Sequence, residues 1–390
     1  MTTSKIKDIS LAEKMTAGQL GWMKRVMPIT AYYTEKIAKR DFRGKRIAMW
    51  QHILPDAIPI VGTLHQAGAE ILLGACNVDS TDDATAAYLA AQGITVLGWK
   101  GMSQAEYDEN LRLARVFDAE YVSDMGGELT EAYIARQPTI AGALEATTSG
   151  LNRLKQHDLP FPVFDWNSIP LKEQIENRFH VGDGVWLTFA HLTAMGLFGR
   201  RVLVIGYGPV GKGIAERARQ LGANVYVSDL DPVKLLEARY HGCEPIPLMD
   251  GLAHCQIIVT STGVEGVLKE AQLRQVRPEA IVFNAGHSNR EIDIDWLSGV
   301  PHEQMKDFIE RYDLGDHAFY LLTKGSPLNL GAGITAHGND LFDHYSAVML
   351  LGLEWLLDGG AEGMPNGLQL YPRHLEREIA DKSMELYLLG

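Results

Sequence analysis

Three glycines, Gly206, Gly208 and Gly211, directly follow the apolar run "RVLVI" and open the helically spaced segment "VGKGIAERARQLG". A G-x-G-x-x-G triad between a strand and a helix has a specific physical use. The first glycine permits a tight turn, the second lets a pyrophosphate approach the backbone, and the third lets helix and strand pack closely. Pro209 and Val210 fill the intervening positions where the helix begins. Asp229 ends the next apolar run, where a carboxylate can accept hydrogen bonds from both ribose hydroxyls of a dinucleotide and repel a 2′-phosphate. The expected cofactor is therefore NAD rather than NADP. A glycine-rich turn with no ligand is the plainer alternative, and the strand before it, the helix after it and the acid beyond weigh against that. Such a site moves hydride. Whether hydride transfer is the net reaction or one step within another chemistry is the question the remaining residues must answer.

The elements that position this turn alternate regularly. From Lys45 onward, "RIAMWQ", "AEILLGA", "ITVLGW" and "AEYVSD" are short apolar runs of buried-strand length, separated by the helix-like "DAIPIVGTLHQAG", "DDATAAYLAAQG" and "SQAEYDENLRLARVF". A second series begins at Arg201 with "RVLVIGYG", "NVYVSD", "CQIIVTSTG", "AIVFNAG" and "HAFYLLT". Strand and helix in alternation predict parallel sheets covered by helices. The fold class is thus α/β, with two Rossmann-like domains. The expected division is a substrate-binding domain over 1–182, an inserted dinucleotide domain over 183–340, and a helical return to the first domain over 341–390, with hinges near Gly182 and Asp340. Asp82 and Asp83 are expected to cap the helix that follows them.

Composition narrows the class further. At 390 residues the chain is long enough for two cores, and 46% hydrophobic, 22% charged residues with no low-complexity tract is an ordinary globular mixture. A net charge of −13 argues against a nucleic-acid partner, because nothing here would release counterions from a phosphate backbone. Cys76, Cys243 and Cys255 are an odd set at no metal-like spacing and read as reduced, mostly buried thiols; no metal site is expected. "MTTSKIKDIS" lacks the apolar core of a signal peptide, and "AVMLLGLEWLL" is too short for a span and is interrupted by Glu354. The expectation is a soluble cytoplasmic enzyme with a small-molecule substrate, working as a homo-oligomer.

Several longer blocks then say more than the fold does. "GYGPVGKG", "VSDLDP", "VTSTG", "NAGHSNREIDIDWL" and "NLGAG", with "GAEILLGACNVDSTDDATAAYLAAQGITVLGWKG" and "LEATTSGLNRL" in the first half, resemble in order and spacing the motifs of the S-adenosylhomocysteine hydrolase family. The likeness runs from about Lys45 to about Ile379. It implies that NAD oxidises a nucleoside 3′-hydroxyl to a ketone, which acidifies the C4′ hydrogen. A base removes that hydrogen, the 5′ substituent leaves, and in the hydrolase water adds before the ketone is reduced again. Net redox is zero.

The resemblance also implies roles. Lys172, in "PLKEQIENRF", matches the lysine that takes the 3′-hydroxyl proton. Glu176 stands where the family has aspartate, and Asn177 matches a residue at the nicotinamide. Thr147, Thr148 and Ser149 match a hydroxyl run that contacts NAD. Thr262 and Gly263, Ala285 and Gly286, and Asn329 fall in blocks that line the cofactor. His52, in "MWQHILPD", matches the histidine near the 5′ leaving group; His287, in "NAGHS", and His337, in "TAHGND", match two histidines that line the cleft. A histidine chosen blind is more often structural than catalytic, and only the motif positions separate these three from the remaining ones.

Departures cluster at the substrate. The family's "DDGGD" appears as "DMGGE", putting Met125 where a catalytic aspartate belongs. "EETTTG" appears as "EATTSG", so Ala146 replaces the glutamate that holds the 2′-hydroxyl. "HMT" becomes "HIL", placing Leu54 where a threonine lies near the base. "GRLVNLG" becomes "GSPLNLG", and the sequence stops at "KSMELYLLG", ahead of a family tail that reaches a neighbouring subunit's NAD site. Two lost carboxylates beside a retained oxidation apparatus predict an NAD-dependent lyase on an adenosine-like nucleoside, one that eliminates water or another 5′-type group to leave an exocyclic alkene. SAHH-like enzymes of nucleoside-antibiotic pathways resemble this description. The alternatives are an ordinary S-adenosylhomocysteine hydrolase with a degenerate pocket, and an inactive NAD-binding regulatory paralogue.

Overall fold

The computed structural model describes residues 3–136, 140–286, 289–331 and 339–388. The chain forms two compact units, one of Met1–Lys172 with Gly338–Gly390 and the other of Glu173–His337. The chain passes from the first to the second within a π-helical run, Leu171–His180, which carries Lys172, Glu176 and Asn177. Such wide turns are uncommon and are found mostly at functional sites.

The first unit is built on a seven-stranded sheet, parallel throughout. Its strands are β1 (Arg46–Gln51), β2 (Glu70–Ala75), β3 (Thr95–Leu97), β4 (Tyr121–Asp124), β5 (Gly142–Glu145), β6 (Pro162–Asp165) and, from the returning chain, β15 (Gly367–Leu370). They lie in the order β15-β6-β5-β4-β1-β2-β3. From β1 the chain works outward to β3, then crosses back to β4 and works outward on the other side. The crevice between the carboxyl ends of β1 and β4 is the topological switch point, where open α/β sheets bind ligands. Parallel strands are covered on both faces, which is why "RIAMWQ" reads as a continuous apolar run. The expected cap at Asp82 is present, its carboxylate accepting from the Thr85 amide at 2.7 Å.

The second unit carries β7 (Arg201–Ile205), β8 (Asn224–Ser228), β9 (Glu244–Pro245), β10 (Ile257–Thr260), β11 (Ile281–Asn284), β12 (His302–Lys306), β13 (Ile309–Asp313) and β14 (Ala318–Leu322). The order is β12-β13-β14-β11-β10-β7-β8-β9. Its switch point falls between β7 and β10. The sheet is parallel except near one edge, where β13 runs antiparallel to both β12 and β14. A hairpin needs only a short turn and no crossover helix, so strand–helix alternation carries no sign of it.

Gly182 lies inside the helix Val181–Thr193, which packs closely on the helix Pro209–Gln220: a Cβ on Gly182 would lie 2.8 Å from the Gly213 carbonyl. No described helix is long and apolar enough to cross a membrane. The three cysteines are free thiols, Cys243 and Cys255 being buried.

Candidate active site and cofactor turn

In the second unit the glycine triad is required atom by atom. Gly206 has a φ of +94°, and a Cβ there would lie 2.9 Å from the Ser261 carbonyl oxygen. A Cβ on Gly211 would lie 1.9 Å from the Gly206 carbonyl oxygen, so the helix can approach the turn only without a side chain. Gly208 differs: nothing lies within 4 Å of where its Cβ would be. It caps the 12-residue helix Pro209–Gln220 without any side-chain bond to the first amides. Open space before uncapped amides at a helix N-terminus fits a pyrophosphate. Pro209 opens that helix, with Val210 and Gly211 in its first turn.

Asp229, one residue past β8, steadies the same turn. Its Oδ2 accepts from the Tyr207 amide at 2.7 Å and its Oδ1 from the Asp231 amide at 2.9 Å, with Lys234 Nζ 3.7 Å away. Each carboxylate oxygen keeps a further acceptor site for a ribose hydroxyl. Thr262 and Gly263 follow β10 and are fixed by Glu291, a buried acid that the sequence reading passed over. Glu291 accepts from the Thr262 amide at 3.0 Å, the Thr262 hydroxyl at 2.8 Å and the Gly263 amide at 2.7 Å. Burial pushes its carboxyl up, against these donors, which favour the ionised form. Ala285 and Gly286 follow β11, where Asn284 Oδ1 accepts from the Gly286 amide at 2.7 Å. Asn329 is buried in the short helix Leu328–Gly331. Glu176 is buried and Asn177 half-buried in the π-helical run. His287 and His337 lie outside the described residues.

The first unit gathers its candidates at the strand ends. The ladder runs one residue past the strands, with the Met125 amide bonded to the Trp50 carbonyl, Ala146 to Asp124 and Trp166 to Glu145 at 3.0, 3.2 and 3.2 Å. Gln51, Met125, Ala146 and Trp166 therefore stand in a row, about 4.8 Å apart from strand to strand. All four are buried. The row turns toward the helix Asp343–Leu357. From that helix the Tyr345 hydroxyl reaches Met125 Sδ at 3.3 Å, and its ring sits 5.1 Å from Trp166. Lys172 Nζ lies over the Tyr345 ring, 5.0 Å from its centroid. Lys172, Met125 and Trp166 thus meet at one phenol.

The surviving acids point the other way, because successive strand residues face opposite sides of a sheet. Asp124 Oδ2 accepts from the Thr130 amide at 2.7 Å. Glu145 Oε1 accepts from the Gly126 amide at 3.2 Å and from the Thr147 amide and hydroxyl at 2.8 and 2.7 Å. Thr147 also caps the helix Thr148–Leu154 through the Gly150 amide. Its hydroxyl is committed inside the unit, whereas Thr148 is exposed and Ser149 half-buried. Asp124 thus faces away from the position of Met125, where the family resemblance implies a carboxylate. His52, half-buried just past β1, holds Ser80 Oγ 2.6 Å from its Nδ1, which sets the ring orientation. Leu54 is buried in the turn before the helix Ala57–Gln66.

Polar atoms on the row lack partners among the described residues: Gln51 Nε2, Gln51 Oε1 and Trp166 Nε1 are buried without a hydrogen bond. A buried amide left this way costs about 1–3 kcal/mol, and in a native fold it marks a place for water or ligand. Gln51, Trp166 and Tyr345 were not singled out in the sequence; "WQH" beside a matched histidine was the available signal for the first.

A glycine turn built for a pyrophosphate in one unit, with a lysine, a histidine and unpartnered amides at strand ends in the other, defines a dinucleotide-dependent α/β enzyme. Residues 180–335 match the family model described as S-adenosyl-L-homocysteine hydrolase, NAD binding domain, and residues 3–137 match S-adenosyl-L-homocysteine hydrolase. The chain belongs to the S-adenosyl-L-homocysteine hydrolase family, and its cofactor is NAD. It is 31% identical to an S-inosyl-L-homocysteine hydrolase of Methanopyrus kandleri, over 97% of this chain and 92% of that protein. It is 32% identical to a protein of the same name from Methanothermobacter thermautotrophicus, covering 94% and 92%. An adenosylhomocysteinase of Saccharolobus solfataricus is 31% identical, covering 96% and 92%.

Proposed function

We propose that this enzyme is a nucleoside dehydratase: it acts on an adenosine-like nucleoside and removes a 5′-type substituent, water, to leave an exocyclic alkene. The observation that carries this reading is the strand-end row, Gln51-Met125-Ala146-Trp166, which presents no carboxylate, while Asp124 and Glu145 are committed to the opposite face.

When bound, NAD supplies reversible hydride acceptance from the sugar's 3′-carbon. Lys172 takes the 3′-hydroxyl proton, and Glu176 orients that hydroxyl. The oxidised sugar has an acidic C4′ hydrogen; its removal drives out the 5′ substituent beside His52, whose ring is held by Ser80. Ala146 leaves room near C1′ and C2′ for an altered sugar, such as a ketose with an extra hydroxymethyl group. Losing the partner of a 2′-hydroxyl weakens binding of an ordinary riboside by about 1–3 kcal/mol. Without a carboxylate at residue 125, the protein rests with no ionised acid at that position to draw a proton from water, a contribution on the order of 10²–10⁴-fold to hydrolysis. The 3′-carbon then takes its hydride back and Lys172 returns the proton, so that the released alkene carries its 3′-hydroxyl.

Hydrolysis of a homocysteine thioether is the second reading, favoured by relatives of that name that match nearly the whole chain. Mass spectrometry decides between them. The NAD-loaded enzyme is incubated with adenosine, psicofuranosyl adenine, S-adenosylhomocysteine and S-inosylhomocysteine. A product lighter than a nucleoside by one water supports the dehydratase. Homocysteine release without dehydration overturns it, and inertness toward all four leaves the regulatory paralogue.

A further inference from the structure

Loss of a 5′-hydroxyl has a requirement that loss of a thioether does not share to the same degree. Hydroxide is a poor leaving group, so a proton must reach the departing oxygen as the C5′–O bond breaks. A carboxylate that rests ionised near neutral pH accepts protons. A phenol, with an ordinary pKa of about 10, rests protonated and donates. At the place of the lost aspartate the protein has Met125, and the polar atom at Met125 Sδ is the Tyr345 hydroxyl, 3.3 Å away.

We propose that Tyr345 is the general acid that protonates the departing hydroxyl. The assignment rests on the dehydratase reading above. Four contacts within the first unit favour it. The ring is pinned by Trp166 at 5.1 Å and by Phe342 at 5.8 Å, so the hydroxyl is aimed rather than mobile. Lys172 Nζ lies 5.0 Å over the ring, and once it has taken the 3′-hydroxyl proton its charge favours the phenolate that forms as the Tyr345 proton leaves. The hydroxyl lies at the carboxyl end of β4, on the switch-point crevice. Neighbouring Gln51 and Trp166 hold buried polar atoms without partners among the described residues, as expected of a pocket completed by ligand. The step balances: a base takes the C4′ proton, the C4′–H electron pair becomes the C4′=C5′ bond, the C5′–O bond breaks, and the Tyr345 proton joins that oxygen as water. Solvent returns a proton to Tyr345, and the base gives one up.

Tyr345→Phe tests this, because it keeps the ring contacts with Trp166 and Lys172 and removes only the proton. The NAD-loaded wild type and variant are compared on the nucleoside that wild type dehydrates and on its counterpart with chloride in place of the departing hydroxyl. Chloride leaves without a proton. The variant should dehydrate on the order of 10²–10⁴-fold more slowly, eliminate chloride within a few-fold of wild type, and still develop near-ultraviolet absorbance of reduced cofactor with both substrates. Equal dehydration by both proteins, or chloride loss slowed as much as water loss, overturns the assignment while leaving the dehydratase intact. A wild type that dehydrates no nucleoside removes both.

Discussion

The two units are built to different standards of completeness. Around the glycine turn the polar side chains are committed within the protein, leaving backbone amides for the cofactor: Asp229 takes two amides, Glu291 takes two amides and a hydroxyl, and Asn284 takes the Gly286 amide. At the strand ends of the first sheet, Gln51 and Trp166 bury amide and indole atoms without partners among the described residues. A cofactor that returns to its starting state each turnover can be met by a fixed cradle. A substrate that must change and leave is met by groups that wait for it. On the reading proposed above, divergence followed the same division, with Met125 and Ala146 standing beside the substrate where the family resemblance implies carboxylates.

If that division is sound, substitutions in the two units should fail differently. The largest loss is expected from Lys172→Ala: no reduced-cofactor absorbance after substrate addition, and turnover down on the order of 10²–10⁴-fold. His52→Ala should still oxidise the sugar but eliminate slowly, so that absorbance persists. Equal accumulation in both variants would remove these assignments. Gly211→Ala should act on the other unit alone. Its methyl would meet the Gly206 carbonyl oxygen, 1.9 Å from the Cβ position, and backbone cannot yield as a side chain can. NAD binding, measured by calorimetry, should be lost while the first unit's unfolding transition stays in place.

Met125→Asp combined with Ala146→Glu sharpens the comparison from the substrate side. Hydrolysis of S-adenosylhomocysteine should rise, because a proton acceptor returns near C5′ and a partner returns for the 2′-hydroxyl. Dehydration should fall, because the new glutamate fills the space Ala146 leaves. The two positions are adjacent in the row, so their effects should couple rather than add. Unchanged selectivity between the substrates would mean that specificity is set elsewhere.

What the sequence disclosed follows the same boundary. The glycine turn was legible because its demands are steric and local, met within the few residues from Gly206 to Gly211. Strands such as "RVLVI" and "RIAMWQ" were legible because burial on both faces makes a continuous apolar run. β5 ("GALE"), β6 ("PVFD") and β15 ("GLQL") are broken by Gly, Pro or polar residues and make no continuous apolar run, and the antiparallel edge falls outside the strand–helix alternation. Tyr345 was not legible, since its significance comes from Met125, 220 residues away in the chain. The departures at Met125 and Ala146 were visible as exchanged residues. That Asp124 and Glu145 face away from them follows from strand parity, which becomes informative only once the register is known.

The smallest effect concerns that parity. Asp124 and Glu145 are register partners on β4 and β5, and Asp124 Oδ1 and Glu145 Oε2 are both buried without hydrogen-bond partners among the described residues. Burial pushes the Asp124 carboxyl up to about 7, and pushes Glu145 up as well, helped by the charge of Asp124. A carboxyl whose folded pKa exceeds its unfolded value, about 4, binds more protons when folded. Its contribution to stability is fully present below about pH 4, declines as pH rises, and is lost above the folded pKa of about 7. Asp124→Asn keeps an acceptor for the Thr130 amide and can donate to Glu145 without ever ionising. In urea denaturation the variant should show a flatter decline across that window, with Glu145 supplying the remaining slope. Above it, the variant should be the more stable protein, because wild type must then hold an ionised carboxylate out of water. Its turnover number should match wild type, because the side chain faces away from the row of Gln51, Met125, Ala146 and Trp166. A folded Asp124→Asn enzyme that no longer dehydrates would place a working acid on the far face of the sheet, and Met125 would cease to distinguish this enzyme from its hydrolase relatives.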